Sequence, residues 1–153
     1  MNAAQRMYQY TESGLDDVYL VNGFEYVNRG GKKHVRIADL EGLHRAIGRY
    51  LLEKRLLSGR ELRFLRHEIL MSQKTLAELL GVGEQAINRW ERDKSDIPGP
   101  ALRLIRLLYL EHVKDGPSEI RETLQRIAAA EDDNRRATFR VNADAQWEAK
   151  EAA

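Results

Sequence analysis

The chain has 153 residues, 42% of them apolar and 32% charged, with a formal net charge of +1 and no cysteine. That length supports one modest core with a small satellite. The missing thiols exclude a disulfide framework and a thiolate zinc site, the histidines at 34, 44, 67 and 112 are too scattered for a metal cluster, and no run is apolar enough to span a bilayer.

Taken along the chain, the first 57 residues favour short strands followed by a helix. β-favouring runs at 18–21, 24–27 and 34–37 are separated by Asn22-Gly23 and by Asn28-Arg29-Gly30-Gly31, which predicts an antiparallel meander of two or three strands. A helix is predicted over 40–57, capped by Asp39, with Leu40, Leu43, His44, Ile47, Tyr50 and Leu51 on one face. A sheet so small must pack against that helix. Arg29, Lys32, Lys33, His34 and Arg36 make the most basic short run of the chain. It reads as a solvated hairpin tip, with a phosphate or partner contact as the alternative, and Tyr8 and Tyr10 read as strand packing.

Ser58-Gly59-Arg60-Glu61 has the spacing of a capping box and opens a helix that ends near Leu70. Two shorter helical patterns follow. Leu76, Ala77, Leu79 and Leu80 recur after Ser72-Gln73, and Ile87 and Trp90 recur after Gly83, with Gly81 able to end the first of the two in a left-handed conformation. This is the layout of a helix-turn-helix. With Ile87 and Trp90 facing inward, a rotation of about 100° per residue points Glu84, Gln85, Asn88, Arg89 and Arg92 outward. Such amides suit adenine, a guanidinium suits guanine, and Glu84 can accept from cytosine. Lys74 and Lys94 lie on or beside the same face, so a local positive patch is expected although the segment 58–113 carries nine basic and eight acidic groups.

After Pro98 and Pro100 comes a strongly apolar helix. One face should close the core, while Leu104, Leu107, Leu108 and Leu110 should meet a second copy; the alternative is that the next helix covers them. That next helix is predicted over 117–130 with Ser118 as a cap, and 131–153 reads as a mobile polar tail whose larger apolar groups are Phe139, Val141 and Trp147.

Arg66, Ser72-Gln73, Leu76-Ala77, Gly81-Val82, Ile87, Trp90-Glu91 and Pro98 together make 62–98 resemble the lambda-repressor-like helix-turn-helix family, the Cro/C1 or Xre type. The resemblance implies that Gln73 touches the phosphate backbone, that Glu84, Gln85 and Arg89 contact bases, and that Arg66 and Glu91 form a structural ion pair. Gly83 stands where that family usually has Ser or Thr. The expected fold is mainly α with a small N-terminal antiparallel sheet and a five-helix lambda-repressor-like DNA-binding domain.

A second resemblance covers about 8–113. The runs 10–20, Asn22-Gly23, 37–47 and 58–66 are similar to MqsA-type antitoxins, which join a small zinc-binding module to an Xre domain. Here 28–33 reads NRGGKK where those proteins place a CxxC pair, so the module must hold without metal. The expected organisation is a β-meander and helix at 1–57, a helix-turn-helix domain at 58–113, a helix at 114–130 and the tail at 131–153. The expected function is a cytoplasmic homodimeric repressor on a pseudo-palindromic operator of double-stranded DNA, serving as the antitoxin of a toxin-antitoxin pair. A toxin- or enzyme-binding module, a phage-type repressor and a restriction controller are the alternatives. No catalytic role, cofactor or membrane partner is expected, since neither GxSxG nor GxxxxGKS/T occurs.

Overall fold

The short strands form two separate ladders instead of one meander. In the computed structural model, which describes residues 6–114, 118–130 and 136–150, β1 (Tyr8–Gln9) pairs antiparallel with β2 (Tyr19–Leu20), and β3 (Phe24–Arg29) pairs antiparallel with β4 (Lys32–Ile37). Gly23, at φ +77°, turns the chain between them. Aromatic packing joins the ladders instead of backbone bonds, with the Tyr8 ring 5.5 Å from Phe24 and edge-on to Tyr26 at 6.4 Å. The β3–β4 strands run further than the sequence suggests. Gly30 and Gly31, at φ +57° and +78°, make a two-residue turn of the type whose twist matches the strands, so Arg29 and Lys32 still pair.

Helix α1 spans Leu40–Glu53, with Asp39 accepting from the Gly42 N–H at 3.1 Å, and it stops four residues short of the predicted end. Its buried stripe is narrow: Ile47, Gly48 and Leu51 are inside, whereas Leu40 and Tyr50 are exposed, contrary to the wheel. Gly48 sets this geometry, because it lies directly against the buried Tyr109 ring.

Five more helices follow: α2 (Gly59–Glu68), α3 (Gln73–Leu80), α4 (Glu84–Glu91), α5 (Gly99–His112) and α6 (Glu119–Ala129). Among the described residues there are thus six helices, four of them within 58–113, where a five-helix domain was expected. The capping box of α2 forms in both directions, and the Glu61 carboxylate also takes Lys54 Nζ at 2.7 Å. That bond holds the Lys54 amine above its ordinary pKa. The core gathers Leu62 and Leu65 of α2 and Ile69 just past its end with Leu76, Ile87, Ile105 and Tyr109.

Helix α6 is started by a neighbour, not by its own cap. Ser118 makes no side-chain cap bond; Glu111 of α5 accepts the Ile120 N–H at 2.8 Å, and Ile120 and Leu124 pack on the core. Pro117, where the helix was expected to begin, lies outside the described residues. Within the segment expected to be a mobile polar tail, β5 (Phe139–Val141) and β6 (Trp147–Ala149) form an antiparallel hairpin. Among the described residues no helix is long and apolar enough to cross a membrane.

Candidate nucleic-acid interface

The exposed face of α4 is built by what holds its other face down. Ile87 and Trp90 are buried, so Glu84, Gln85 and Arg89 are left exposed at helical spacing, with Arg92 and Lys94 exposed just beyond the helix end. Helix α3 ends at Gly81, whose φ of +69° permits the backward bond from the Val82 N–H to the Ala77 carbonyl at 3.0 Å. Gly83 then opens α4 without a side-chain cap bond. The amides at the start of α4 therefore have no side-chain oxygen from the cap competing for them.

Beneath this face runs a buried polar chain. Arg66 Nε and Nη2 both donate to Glu91 Oε1 at 2.8 Å, and Nη1 donates to the Met71 carbonyl at 2.9 Å. The other carboxylate oxygen of Glu91 accepts a short hydrogen bond from the Gln73 amide, and Gln73 Oε1 accepts from Asn88 Nδ2 at 3.5 Å. The chain links α2 through Arg66, α3 through Gln73, and α4 through Asn88 and Glu91. Both charged side chains are over nine-tenths buried, so each needs the other.

This network changes how the expected site residues divide. Gln73 and Asn88 are half-buried and bonded to each other, so their side chains lock α3 to α4 instead of lying open with Arg89. Lys74 is exposed beside them on the first turn of α3, ahead of the first intrahelical bond, from Leu76 N–H to the Ser72 carbonyl. Of the leucines expected at a dimer contact, Leu107 and Leu110 are exposed and Leu104 is half-buried, but Leu108 is buried. Leu108 is corrected to the core, because it shares the inward stripe of α5 with Leu102, Ile105 and Tyr109.

Sequence reasoning missed three positioning contacts. Asp93, at φ +56°, accepts from the Gly59 N–H at 2.7 Å and ties the end of α4 to the start of α2. Arg106 reaches from α5 to the carbonyls of Lys54 and Arg55, closing the link between α1 and α2. Tyr10 Oη bonds His44 Nε2 at 2.7 Å while His44 Nδ1 bonds Glu68 at 2.7 Å, fastening the β1–β2 ladder through α1 onto α2. Burial raises the Tyr10 hydroxyl pKa, which keeps it protonated there. The adjoining cleft of about 560 Å³ is lined by Glu12, Arg60, Arg63, His67 and Glu68 among others. Desolvation, reinforced by Arg66 and Arg63, holds His67 below the usual imidazole range. None of these pairings leaves a sequence period, since the partners lie 24 to 52 positions apart.

Residues 62–106 match the family described as Helix-turn-helix, of the Cro/C1 type, whose members are DNA-binding regulators of transcription. No curated protein and no solved structure matches the chain.

Proposed function

We propose that the chain is a sequence-specific repressor that works as a homodimer, placing α4 of each copy in successive major grooves of a pseudo-palindromic site. The observation that carries this is the exposed triplet Glu84, Gln85 and Arg89 on a helix braced from below by the Arg66–Glu91 pair. Arg89 offers a forked donor to guanine and Gln85 a paired donor and acceptor to adenine. Lys74, Arg92 and Lys94 are exposed around them and suit phosphates. The exposed Leu107 and Leu110, with the edge of Leu104, offer an apolar strip for the second copy. By its likeness to MqsA-type antitoxins, the protein serves as the antitoxin of a toxin-antitoxin pair and represses its own operon.

The test is a mobility shift on the DNA immediately upstream of the gene. Arg89→Ala with Gln85→Ala should each remove roughly 1–3 kcal/mol of base discrimination and level the preference over random DNA. A double variant that binds the upstream site as tightly as the parent would dispose of this readout face.

A second reading has one observation in its favour. The register of β5 and β6 puts Phe139, Val141 and Trp147 on one face, with Trp147 75% exposed, and a two-stranded hairpin is marginal alone in water. That face suits an apolar surface on a protein partner such as a toxin. Co-purification with the product of the neighbouring gene should be lost on Trp147→Ser and retained by Arg89→Ala; retention by both variants would discount the hairpin.

A further inference from the structure

We propose that the β3–β4 hairpin is a second contact to duplex DNA, in which Arg29 and Lys32 take backbone phosphates. The inference rests on the reading of the chain as a DNA binder and adds a surface outside the helix-turn-helix.

The register carries it. Partners across the hairpin are Glu25 with Arg36, Val27 with His34, and Arg29 with Lys32, and strand alternation puts these six side chains on one face. Phe24, Tyr26, Val35 and Ile37 share the other face, where Lys33 sits 4.0 Å over the Tyr26 ring. On that second face Phe24 and Ile37 pack on the core while Tyr26 stays exposed, and the first face presents Arg29, Lys32, His34 and Arg36, all exposed. Glu25 is the acidic group on that face, and it is engaged by Arg36 at 2.9 Å. Among the described residues, neither Arg29 nor Lys32 has a salt-bridge partner, yet they stand directly opposite each other. Like charges in that arrangement oppose hairpin formation. A row of phosphates reverses the sign of that interaction.

Position and charge balance point the same way. Arg29 lies about 17 Å along the strand from the base at Phe24, roughly twice the Debye length at physiological salt, so acidic groups at the base do little to cancel the tip. The segment 58–113, by contrast, carries nine basic and eight acidic groups. A reading helix on so nearly neutral a body has little long-range pull on DNA, and the hairpin supplies it. The Gly30-Gly31 turn suits the task, because it brings the two strands together with no side chain at the tip to hold a backbone away.

The experiment measures affinity of the full chain for a random-sequence duplex about three helical turns long, as a function of salt. Each lost phosphate contact should lower the slope of log K on log salt by about 0.9, so Arg29→Gln with Lys32→Gln should lower it by about 1.8 per protomer. Between about 50 and 200 mM salt, the parent should then lose roughly tenfold more affinity per protomer than the double variant, on the order of a hundredfold for a dimer with both hairpins engaged. Lys33→Gln, which changes the opposite face, should leave the slope near the parent value, and an unchanged thermal melt establishes that each variant is folded. An unaltered slope in the folded double variant overturns the proposal, and so does an equal loss from Lys33→Gln. If the double variant keeps the slope while Arg89→Ala abolishes preference for the upstream site, the hairpin contact fails and the reading of α4 stands. If the parent binds no duplex at any salt, both fail.

Discussion

Replacing Glu91 with alanine is expected to cost about 3–5 kcal/mol of folding free energy, because it leaves the Arg66 guanidinium charged and buried without its counter-ion. Against a total of about 5–15 kcal/mol for an ordinary domain, that is a large share, and it should lower the melting temperature by roughly 6–20 °C. The loss would not end with Arg66. Glu91 also receives the Gln73 amide, and Gln73 in turn receives Asn88, so the bonds between α3 and α4 loosen together. Urea unfolding of Glu91→Ala, Glu91→Gln and the pair Arg66→Met with Glu91→Leu separates the causes. If the penalty is that of an orphaned charge, the apolar pair should recover most of the stability lost by Glu91→Ala. It should not recover selective DNA binding, because Gln73 and Asn88 remain without their anchor. A loss below about 1 kcal/mol for Glu91→Ala would mean that the pair is hydrated and does not brace the helices.

The divide between what was legible in the sequence and what was not follows the range of the interaction. Local periodicity was enough to put Ile87 and Trp90 inside and Glu84, Gln85 and Arg89 outside, because those positions answer to one helix and one core. The Arg66–Glu91 pairing came by family likeness and has no local signal. Helix ends show the limit well. Helices α2, α3 and α4 all stop with the same backward bonds, Met71 N–H to the Arg66 carbonyl, Val82 N–H to the Ala77 carbonyl, and Lys94 N–H to the Arg89 carbonyl. Only α3 does so at a glycine; Leu70 and Asp93 take the left-handed conformation in the other two, at φ +56° each. A scan for glycine finds one stop of three. At Asp93 the cost of a non-glycine residue is offset by tertiary structure, since its carboxylate accepts from the Gly59 N–H, which no spacing rule anticipates; nothing comparable holds the exposed Leu70. Leu108 was misassigned for a related reason. On an apolar helix with few charges, periodicity does not say which stripe faces the core, and Tyr109 packing on Gly48 decides it.

Gly59→Ala should be as damaging as the loss of Glu91, for a reason of shape and not charge. A Cβ at this position would lie 2.5 Å from the Trp90 carbonyl oxygen and closer still to that of Glu91, well inside contact distance. The obstacle is backbone, so no rotamer change relieves it. Helix α2 must lift from the end of α4, breaking the bond from the Gly59 N–H to Asp93 and straining the Arg66–Glu91 pair. Overpacking typically costs about 1–3 kcal/mol, and a bond to a charged acceptor adds about 1.5–3 more, against a gain in helix propensity of about 1 kcal/mol at most. The net loss should be about 3 kcal/mol. Gly48→Ala provides the contrast. Its Cβ would stand 3.0 Å from Tyr109 Cε1 and nearer to Cζ and Oη, so the obstacle there is a side chain. Tyr109→Phe should relieve little, because Cζ remains, whereas Tyr109→Leu clears the space and should leave Gly48→Ala with almost no further penalty. No second-site side chain can rescue Gly59→Ala in the same way. Its unfolding midpoint in urea should fall whatever stands at 90 or 91, and selective binding of the upstream DNA should fall with it, since the tilt of α4 sets where Gln85 and Arg89 reach. A parental midpoint for Gly59→Ala would show that α2 and α4 can separate freely, and the recognition helix would then lack the rigid seat on which its proposed role depends.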